Sequence, residues 1–340
     1  LIKKLNTEDS VLGKALDNHN TLGTPFFYYL RRVISIILPV YNEEKGLIQF
    51  TQNLNDSIRN IPHDFEIIFV NDGSHDRSLS VILELCSQDS TYKYINLSRN
   101  FGHQIAVTAG IEHAKGDYIV LMDSDGQDPP EVIQRLLAKA EEGYDVAYAQ
   151  RIKRKDESWL KQITASTFYK ILNKITSVEI PVDTGDFRII NRKVAKALIQ
   201  MPEKQRYLRG QIAWLGYKQA AVSYEREGRN AGETGYTYKK MISLALDAIT
   251  SFSNFPLRLA TISGFICAFI GLLLIVYTLY AKFILKIYEP GWPSLMITIV
   301  FLGGIQLLGI GMIGEYISRI NDNVKNRPLY LISDTNIEHA

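Results

Sequence analysis

The sequence predicts an α/β protein with a mostly parallel sheet, followed by a pair of long apolar helices. Three observations carry this reading. Short β-branched runs alternate with helical stretches from residue 33 to about 150, acidic or amide clusters directly follow several of those runs, and two uncharged segments lie near the C-terminus. Near-continuous apolar runs suit parallel strands covered on both faces, and strands alternating with helices build such a sheet. Ligands of such sheets bind beyond the carboxyl ends of the strands.

In chain order, Val33–Val40, Glu66–Asn71, Tyr92–Leu97, Tyr118–Met122 and Asp145–Gln150 read as strands. Residues 43–60, 76–89, 103–115 and 130–142 between them read as helices. Asp76 and Asp128 lie near two helix starts, and Pro129-Pro130 suits a first helical turn. Residues 151–235 are less regular, with a helix near 157–174, a strand at Phe187–Asn191, a helix at 192–200 and a strand near 217–225. Residues 236–256 place Met241, Ala245, Ala248, Phe252 and Phe255 on one helical face. Just before an apolar segment, that face suits the membrane interface. No internal repeat is evident.

Residues 259–281 and 291–314 contain no charged side chain. At about 1.5 Å per residue, each is long enough for a hydrocarbon core of about 30 Å. The connection 282–290 is short and permits only an antiparallel hairpin. Lys239, Lys240, Arg258, Arg319, Lys325 and Arg327 flank its two ends, whereas Lys282 and Lys286 lie in the loop. This bias predicts a plasma-membrane protein of two spanning helices with its N-terminal part in the cytoplasm. The expected domains are a leader or extension at 1–32, a catalytic domain at 33–235, a juxtamembrane helix at 236–256, a hairpin at 257–318 and a tail at 319–340.

The 340 residues are 46% hydrophobic, with 38 Lys and Arg against 36 Asp and Glu, a formal net charge of +2. This composition excludes a disordered chain or a collagen, and it argues against a nucleic-acid partner. Cys86 and Cys267 are the only cysteines. They supply no disulfide framework and no cysteine zinc site, which fits a reducing compartment. No charged n-region and apolar h-region open the chain, so it reads as not secreted.

Four polar clusters carry the chemistry: Pro39-Val40-Tyr41-Asn42-Glu43, Asn71-Asp72-Gly73-Ser74, Asp123-Ser124-Asp125 and Thr184-Gly185-Asp186-Phe187-Arg188. The first three follow buried strands and share one rim of the sheet. Carboxylates near apolar surroundings need partners, so acidic strand tips gathered on a rim point to a site. Asp123 and Asp125, two apart on an extended segment, point the same way and suit Mg²⁺ or Mn²⁺, which complete their shells with water and phosphate oxygens. Taken alone, an Asp-x-Asp is also common turn chemistry. Asp72 reads either as a turn residue or as an acceptor for a base or ribose. Ser98–His103 opens a helix whose N-terminus can face phosphates, with His103 as ligand or as packing residue. Gly309-Ile310-Gly311-Met312-Ile313-Gly314 matches the dinucleotide pattern, but it lies inside an uncharged segment with no preceding strand, where helix packing explains it.

With those residues in view, PVYNEE (39–44), VNDGS (70–74), SRNFGHQIAVTAG (98–110), DYIVLMDSDGQDPPE (117–131), TGDFRIINR (184–192) and the two-helix C-terminus resemble family 2 glycosyltransferases of GT-A, Rossmann-like fold. More narrowly, they resemble the polyisoprenyl-phosphate glycosyltransferases, which include dolichol-phosphate mannose synthase, the aminoarabinose transferase and bactoprenol glucosyltransferases. RYLRGQIAWLGYK (206–218) and ALDAITSFSNFPLRL (245–259) are most similar to the last branch. The resemblance spans roughly residues 33–320. It implies a nucleotide pocket of Pro39, Tyr41, Glu43 and Asp72, with Asp123 and Ser124 also at the nucleotide sugar. It implies a metal and donor-phosphate site of Asp123, Asp125 and Gln127. Asp186, Asp125 and Arg188 carry catalysis, and Arg151, Arg206 and Arg209, with Arg188, are candidates for phosphate contacts. The processive branch carries Q-x-x-R-W, which Gln205-Arg206-Tyr207 does not match, so chain polymerisation is not expected.

The implied reaction is transfer of a hexose, glucose from UDP-glucose, to a polyprenyl phosphate with inversion. GDP-mannose or aminoarabinose transfer stays open as the alternative donor chemistry, and the family includes homo-oligomers. A non-catalytic nucleotide-sugar sensor or membrane scaffold is the competing class, but it would not require the acidic pair and Asp186 together. A transporter or flippase is a third class, but two membrane helices without intramembrane charge give it no solute path unless oligomerised.

Overall fold

The computed structural model describes residues 32–151, 184–224, 255–280, 283–284 and 291–337. The expected leader at 1–32 falls outside them apart from Arg32, and the helices near 157–174 and 236–256 lie outside them but for 255–256. Eight strands form one sheet: β1 (Val33–Val40), β2 (Asp64–Asn71), β3 (Tyr92–Leu97), β4 (Tyr118–Leu121), β5 (Val146–Arg151), β6 (Thr184–Asn191), β7 (Gln219–Tyr224) and β8 (Ile332–Thr335). Their order across the sheet is β7-β5-β6-β4-β1-β2-β3-β8. β4, β1, β2 and β3 are parallel neighbours, β5 and β7 pair in parallel, and only β6 and β8 run against the rest. The mostly parallel α/β sheet expected from the sequence is therefore present.

The helices are α1 (Leu47–Ile58), α2 (Ser78–Gln88), α3 (His103–His113), α4 (Val132–Glu141), α5 (Arg192–Ile199), α6 (Leu208–Trp214), α7 (Phe255–Tyr280) and α8 (Trp292–Val324). The period-two alternation of β1 separates two cores. Ile34, Ile36, Leu38 and Val40 face Leu47 and Leu54 of α1, Ile82 of α2 and Leu136 of α4. Ile37 faces the other way, toward Ala106 and Ala109 of α3, Val194 and Leu198 of α5, and Leu208 and Ile212 of α6. The result is a sheet between two helical layers, which explains why β1 is apolar at nearly every position. α3 lies especially close to the sheet, because a Cβ on Gly110 would meet Ile37 Cγ2 at 2.3 Å.

Two findings depart from the sequence pattern. The second apolar helix does not end at 314 but runs to Val324, and residues 319–340, read as a tail, contribute β8 to the sheet edge beside β3. Tyr94 Oη donates to Asp334 Oδ2 at 2.7 Å, Tyr94 N donates to Asn336 Oδ1 at 2.8 Å, and Ser98 N donates to the Leu331 carbonyl at 2.9 Å. ISDT is too short and polar to read as a strand, and its partners are distant in sequence. The Gly309–Gly314 pattern lies within α8, as its apolar setting requires. α7 and α8 pack together and carry many exposed apolar side chains, among them Phe265 and Leu307. Among the described residues, Phe301–Val324 is long and apolar enough to cross a membrane by length and composition.

The strap formed by β8 gives a direct expectation. Asn336 also donates through Nδ2 to the Tyr92 carbonyl at 3.2 Å, so Asn336→Ala removes two bonds to the β3 edge. It should cost about 1–2 kcal/mol, read as a lower unfolding midpoint of the detergent-solubilised protein.

Candidate active site

An open cleft lies at the carboxyl end of the parallel strands. It is lined by Pro39, Val40, Tyr41, Glu43, Asp72, Asn100, Gly102, His103, Asp123, Ser124 and Asp125. The clusters after β1, β2 and β4 therefore converge, as the rim argument predicts, and the start of α3 closes one side. Ser124 Oγ donates to the Pro39 carbonyl at 2.8 Å and ties the β4 tip to β1. Tyr41 is 43% exposed at the mouth, edge-on to the His75 ring at a centroid distance of 6.4 Å.

Asp72 lines the cleft and also serves the backbone beside it. Its Oδ1 accepts Phe101 N at 2.7 Å and its Oδ2 accepts Gly102 N at 3.0 Å. The buried carboxylate thus holds the 98–103 loop in place beneath the cleft. Burial pushes its carboxyl above the usual range, and the two backbone bonds oppose that push. Gly73 adopts φ +66°, and a Cβ there would meet the Arg99 carbonyl carbon at 2.4 Å, so the same loop presses directly on the β2 tip.

Asp123 Oδ1 is sealed from solvent without a hydrogen bond, with His103 Nε2 3.4 Å away. Burial, resisted by His103 and reinforced by the carboxylates of Asp186 and Asp125, pushes the Asp123 carboxyl up to about 6. Asp125 accepts Gln127 N at 3.0 Å and Gln127 Nε2 at 2.6 Å. Gln127 therefore braces Asp125. Among the described residues, no three His, Cys, Asp or Glu groups are gathered to hold a metal. The Asp123 oxygen that accepts no hydrogen bond, beside Asp125, nevertheless fits a small divalent ion that takes few protein oxygens.

Asp186, on β6, stands next to this acidic pair. Its Oδ1 accepts Arg209 Nε at 2.7 Å, its Oδ2 accepts Gln104 Nε2 at 3.0 Å, and His103 Nε2 lies 3.3 Å from Oδ2. Burial alone would raise its carboxyl, but Arg209 and His103 hold it well below the usual carboxylate range. Burial likewise opposes charge on His103, yet the bond to Asp186 and the two nearby carboxylates push its imidazole up to about 8. At neutral pH the group is an ionised Asp186 between two cations.

The arginines separate into two sets. Arg209 joins Asp186. Arg151 lies against Gly185, where a Cβ would meet its Nη2 at 2.9 Å, and donates through Nε to Tyr224 Oη at 3.1 Å, with Asp128 3.7 Å from Nη2. Arg188 and Arg206 are each engaged by backbone carbonyls. Arg188 is only 4% exposed and donates to the carbonyls of Gly185 and Asp186 at 2.9 and 3.3 Å, and burial pushes it down to about 10. It shapes the backbone that carries Asp186 and has no exposed face for phosphate. Arg206 donates to the Leu198 carbonyl at 3.2 Å, and its charge is felt by Glu203 and by Glu112 in the last turn of α3, whose first turn carries His103. Burial lowers its basicity.

Gln104, Asp128 and Tyr224 have no individual signal in the sequence. Asp128 reads as a helix-start residue, yet it accepts Tyr224 Oη and faces Arg151. Only the strand order places β7 beside β5 and makes these partners.

Asp72→Ala leaves the Phe101 and Gly102 amides without their acceptor. It should cost about 2 kcal/mol in thermal unfolding and increase proteolysis at 98–103.

Against known proteins, the chain matches the Glycosyl transferase family 2 profile over residues 35–199 and the GtrB C-terminal hairpin profile over 255–320. It is 46% identical over 298 residues to the uncharacterized glycosyltransferase YkcC of Bacillus subtilis, covering 88% of this chain and 92% of that one. It is 40% identical over 299 residues to the SfII prophage-derived bactoprenol glucosyl transferase of Shigella flexneri, covering 88% and 97%. Among solved structures it is similar to S. aureus TarS 1-349 in complex with UDP-GlcNAc, at 18% identity and a TM-score of 0.45, over 64% of this chain and 65% of that one.

Proposed function

This chain belongs to glycosyl transferase family 2, and we propose that it transfers glucose from UDP-glucose to undecaprenyl phosphate, a polyprenyl phosphate, at the cytoplasmic face of the plasma membrane. The observation that carries this reading is the ion pair of Arg209 with Asp186 beside the Asp123–Asp125 cleft, in a chain that ends in an apolar helical hairpin. The likeness to bactoprenol glucosyl transferases over most of the chain supports the lipid acceptor.

A phosphate monoester has a second pKa of about 6, so the lipid phosphate is mostly dianionic and needs no base to become a nucleophile. One of its oxygens attacks the anomeric carbon, the bond to the nucleotide diphosphate breaks, and UDP leaves with the electron pair. A single displacement inverts the anomeric centre. Asp186 is held too acidic to accept a proton effectively, so it orients the sugar and stabilises positive charge developing at the anomeric carbon. Arg209 and Arg151 bring positive charge to the incoming phosphate. Asp123 and Asp125, with Gln127 bracing Asp125, would hold a Mg²⁺ or Mn²⁺ ion, which when bound neutralises the diphosphate leaving group. Pro39, Tyr41 and Glu43 line the nucleotide end of the cleft, with Asp72 supporting it from below.

A polyprenyl chain stays in the bilayer, so its phosphate reacts at headgroup level. In this reading α7 and α8 both cross the membrane, residues 33–235 act as the catalytic domain, and 236–256 lie on the surface with Lys239 and Lys240 toward anionic lipid.

The test is full-length protein in vesicles containing undecaprenyl phosphate, with Mg²⁺ and a panel of UDP-glucose, GDP-mannose and a UDP-linked aminoarabinose. Lipid-linked glucose is expected. Product from another donor changes the sugar, and no product from any donor removes the enzyme reading. Asp186→Asn should lower turnover about a hundredfold or more while UDP affinity stays within about twofold. If UDP binding collapses with turnover, the orienting role is wrong. Asp125→Asn should weaken UDP binding when Mn²⁺ is present and change it little in chelator, as read by calorimetry.

A further inference from the structure

We propose that Gln104 is a positioning residue for the transfer, fixing the orientation of Asp186 by tying it to the helix that carries Arg209. The proposal rests on the reading of Asp186 as the carboxylate at the donor sugar. Gln104 lies in the first turn of α3, with its amide between two elements that are distant in sequence. Nε2 donates to Asp186 Oδ2 at 3.0 Å, and Oε1 accepts Leu208 N at 3.1 Å.

Leu208 is the first residue of α6, and the amides of a helix's first turn have no partner inside the helix. The preceding residue, Tyr207, provides no side-chain cap, so Gln104 caps this helix from across the core. The next residue, Arg209, donates to the other Asp186 oxygen at 2.7 Å. The ring Gln104–Asp186–Arg209–Leu208 is thereby closed, and each carboxylate oxygen takes a bond from a different side chain.

The amide has one workable orientation. Turned over, its oxygen would face the carboxylate and its NH₂ would face the Leu208 N–H, so both bonds would be lost. Without this amide, one oxygen of Asp186 depends on His103 alone, and the carboxylate can rotate about the bond that Arg209 leaves. Small displacements of a group that must meet a reacting carbon are costly in rate.

A helix cap and a positioning residue predict different results for two substitutions in the full-length enzyme. Gln104→Met removes both bonds. Gln104→Glu keeps an acceptor for Leu208 N–H but sets a second carboxylate against Asp186. Positioning predicts that Met lowers kcat about tenfold with KM for UDP-glucose within about twofold, and that Glu lowers kcat at least as far. In an Asp186→Asn background, Gln104→Met should leave the residual turnover unchanged. A Glu variant near wild type, or a Met effect that persists undiminished in the Asp186→Asn background, overturns the proposal in favour of capping alone. If the wild type makes no lipid product, the function reading falls by itself, and the melting temperatures decide here. Glu lower than Met supports contact with an ionised Asp186, and Glu equal to or above Met overturns it.

Discussion

The ion pair between Arg209 and Asp186 governs the carboxyl end of this sheet, because Asp186 is buried beside two further carboxylates and would otherwise be driven to neutralise. Arg209 and His103 supply the compensating charge, Gln104 supplies a neutral donor, and all three reach Asp186 from helices on the same face of the sheet. Asp123 has no comparable set, and its carboxyl rises while that of Asp186 falls. Two neighbouring carboxylates are thus driven in opposite directions by their partners. The saturated one suits a fixed electrostatic task, and the undersupplied one suits an incoming cation.

The same arrangement reaches the apolar hairpin. Lys204 N donates to Asn323 Oδ1 at 3.0 Å, Lys204 Nζ donates to Asn326 Oδ1 at 3.2 Å, and Arg319 on α8 donates to Gln205. These residues lie just before α6, so the segment touching the end of α8 is continuous with the helix that presents Arg209. Beyond α8 the chain returns to the sheet as β8, and Tyr330 donates to Glu112 at the far end of α3. The end of α8 and the chain beyond it are therefore tied to the segment preceding α6 and to the far end of α3.

Much of this architecture is legible in the sequence, and the limits have physical causes. VISIILPV reads as a strand because burial on both faces leaves only apolar residues, and Asp123-Ser124-Asp125 reads as a strand tip because it interrupts such a run. ISDT does not read as β8, since it is short, three-quarters polar and paired with residues about 240 positions away. Gln104 meets Asp186 across 82 positions and looks like any exposed helix residue until the sheet is assembled. Arg188 and Arg206 read as phosphate contacts in the sequence, because an arginine near a motif has the same signature whether it faces a cleft or a carbonyl. Burial sets Arg188 apart, and Arg206 donates to the Leu198 carbonyl, whereas Arg209 pairs with Asp186. Asp72 shows a related ambiguity, since a strand-tip carboxylate serves a ligand or a backbone loop equally well by pattern.

The claim that most needs a direct measurement is that Asp186 stays ionised at working pH and is not a proton acceptor. Infrared difference spectra between wild type and Asp186→Asn, taken in lipid from about pH 8 to about pH 5, report this carboxyl group directly. The account predicts an ionised-carboxylate band assigned to Asp186 throughout that range, with no protonated carbonyl band. A protonated carbonyl band from Asp186 that grows in as the pH falls through this interval would contradict it.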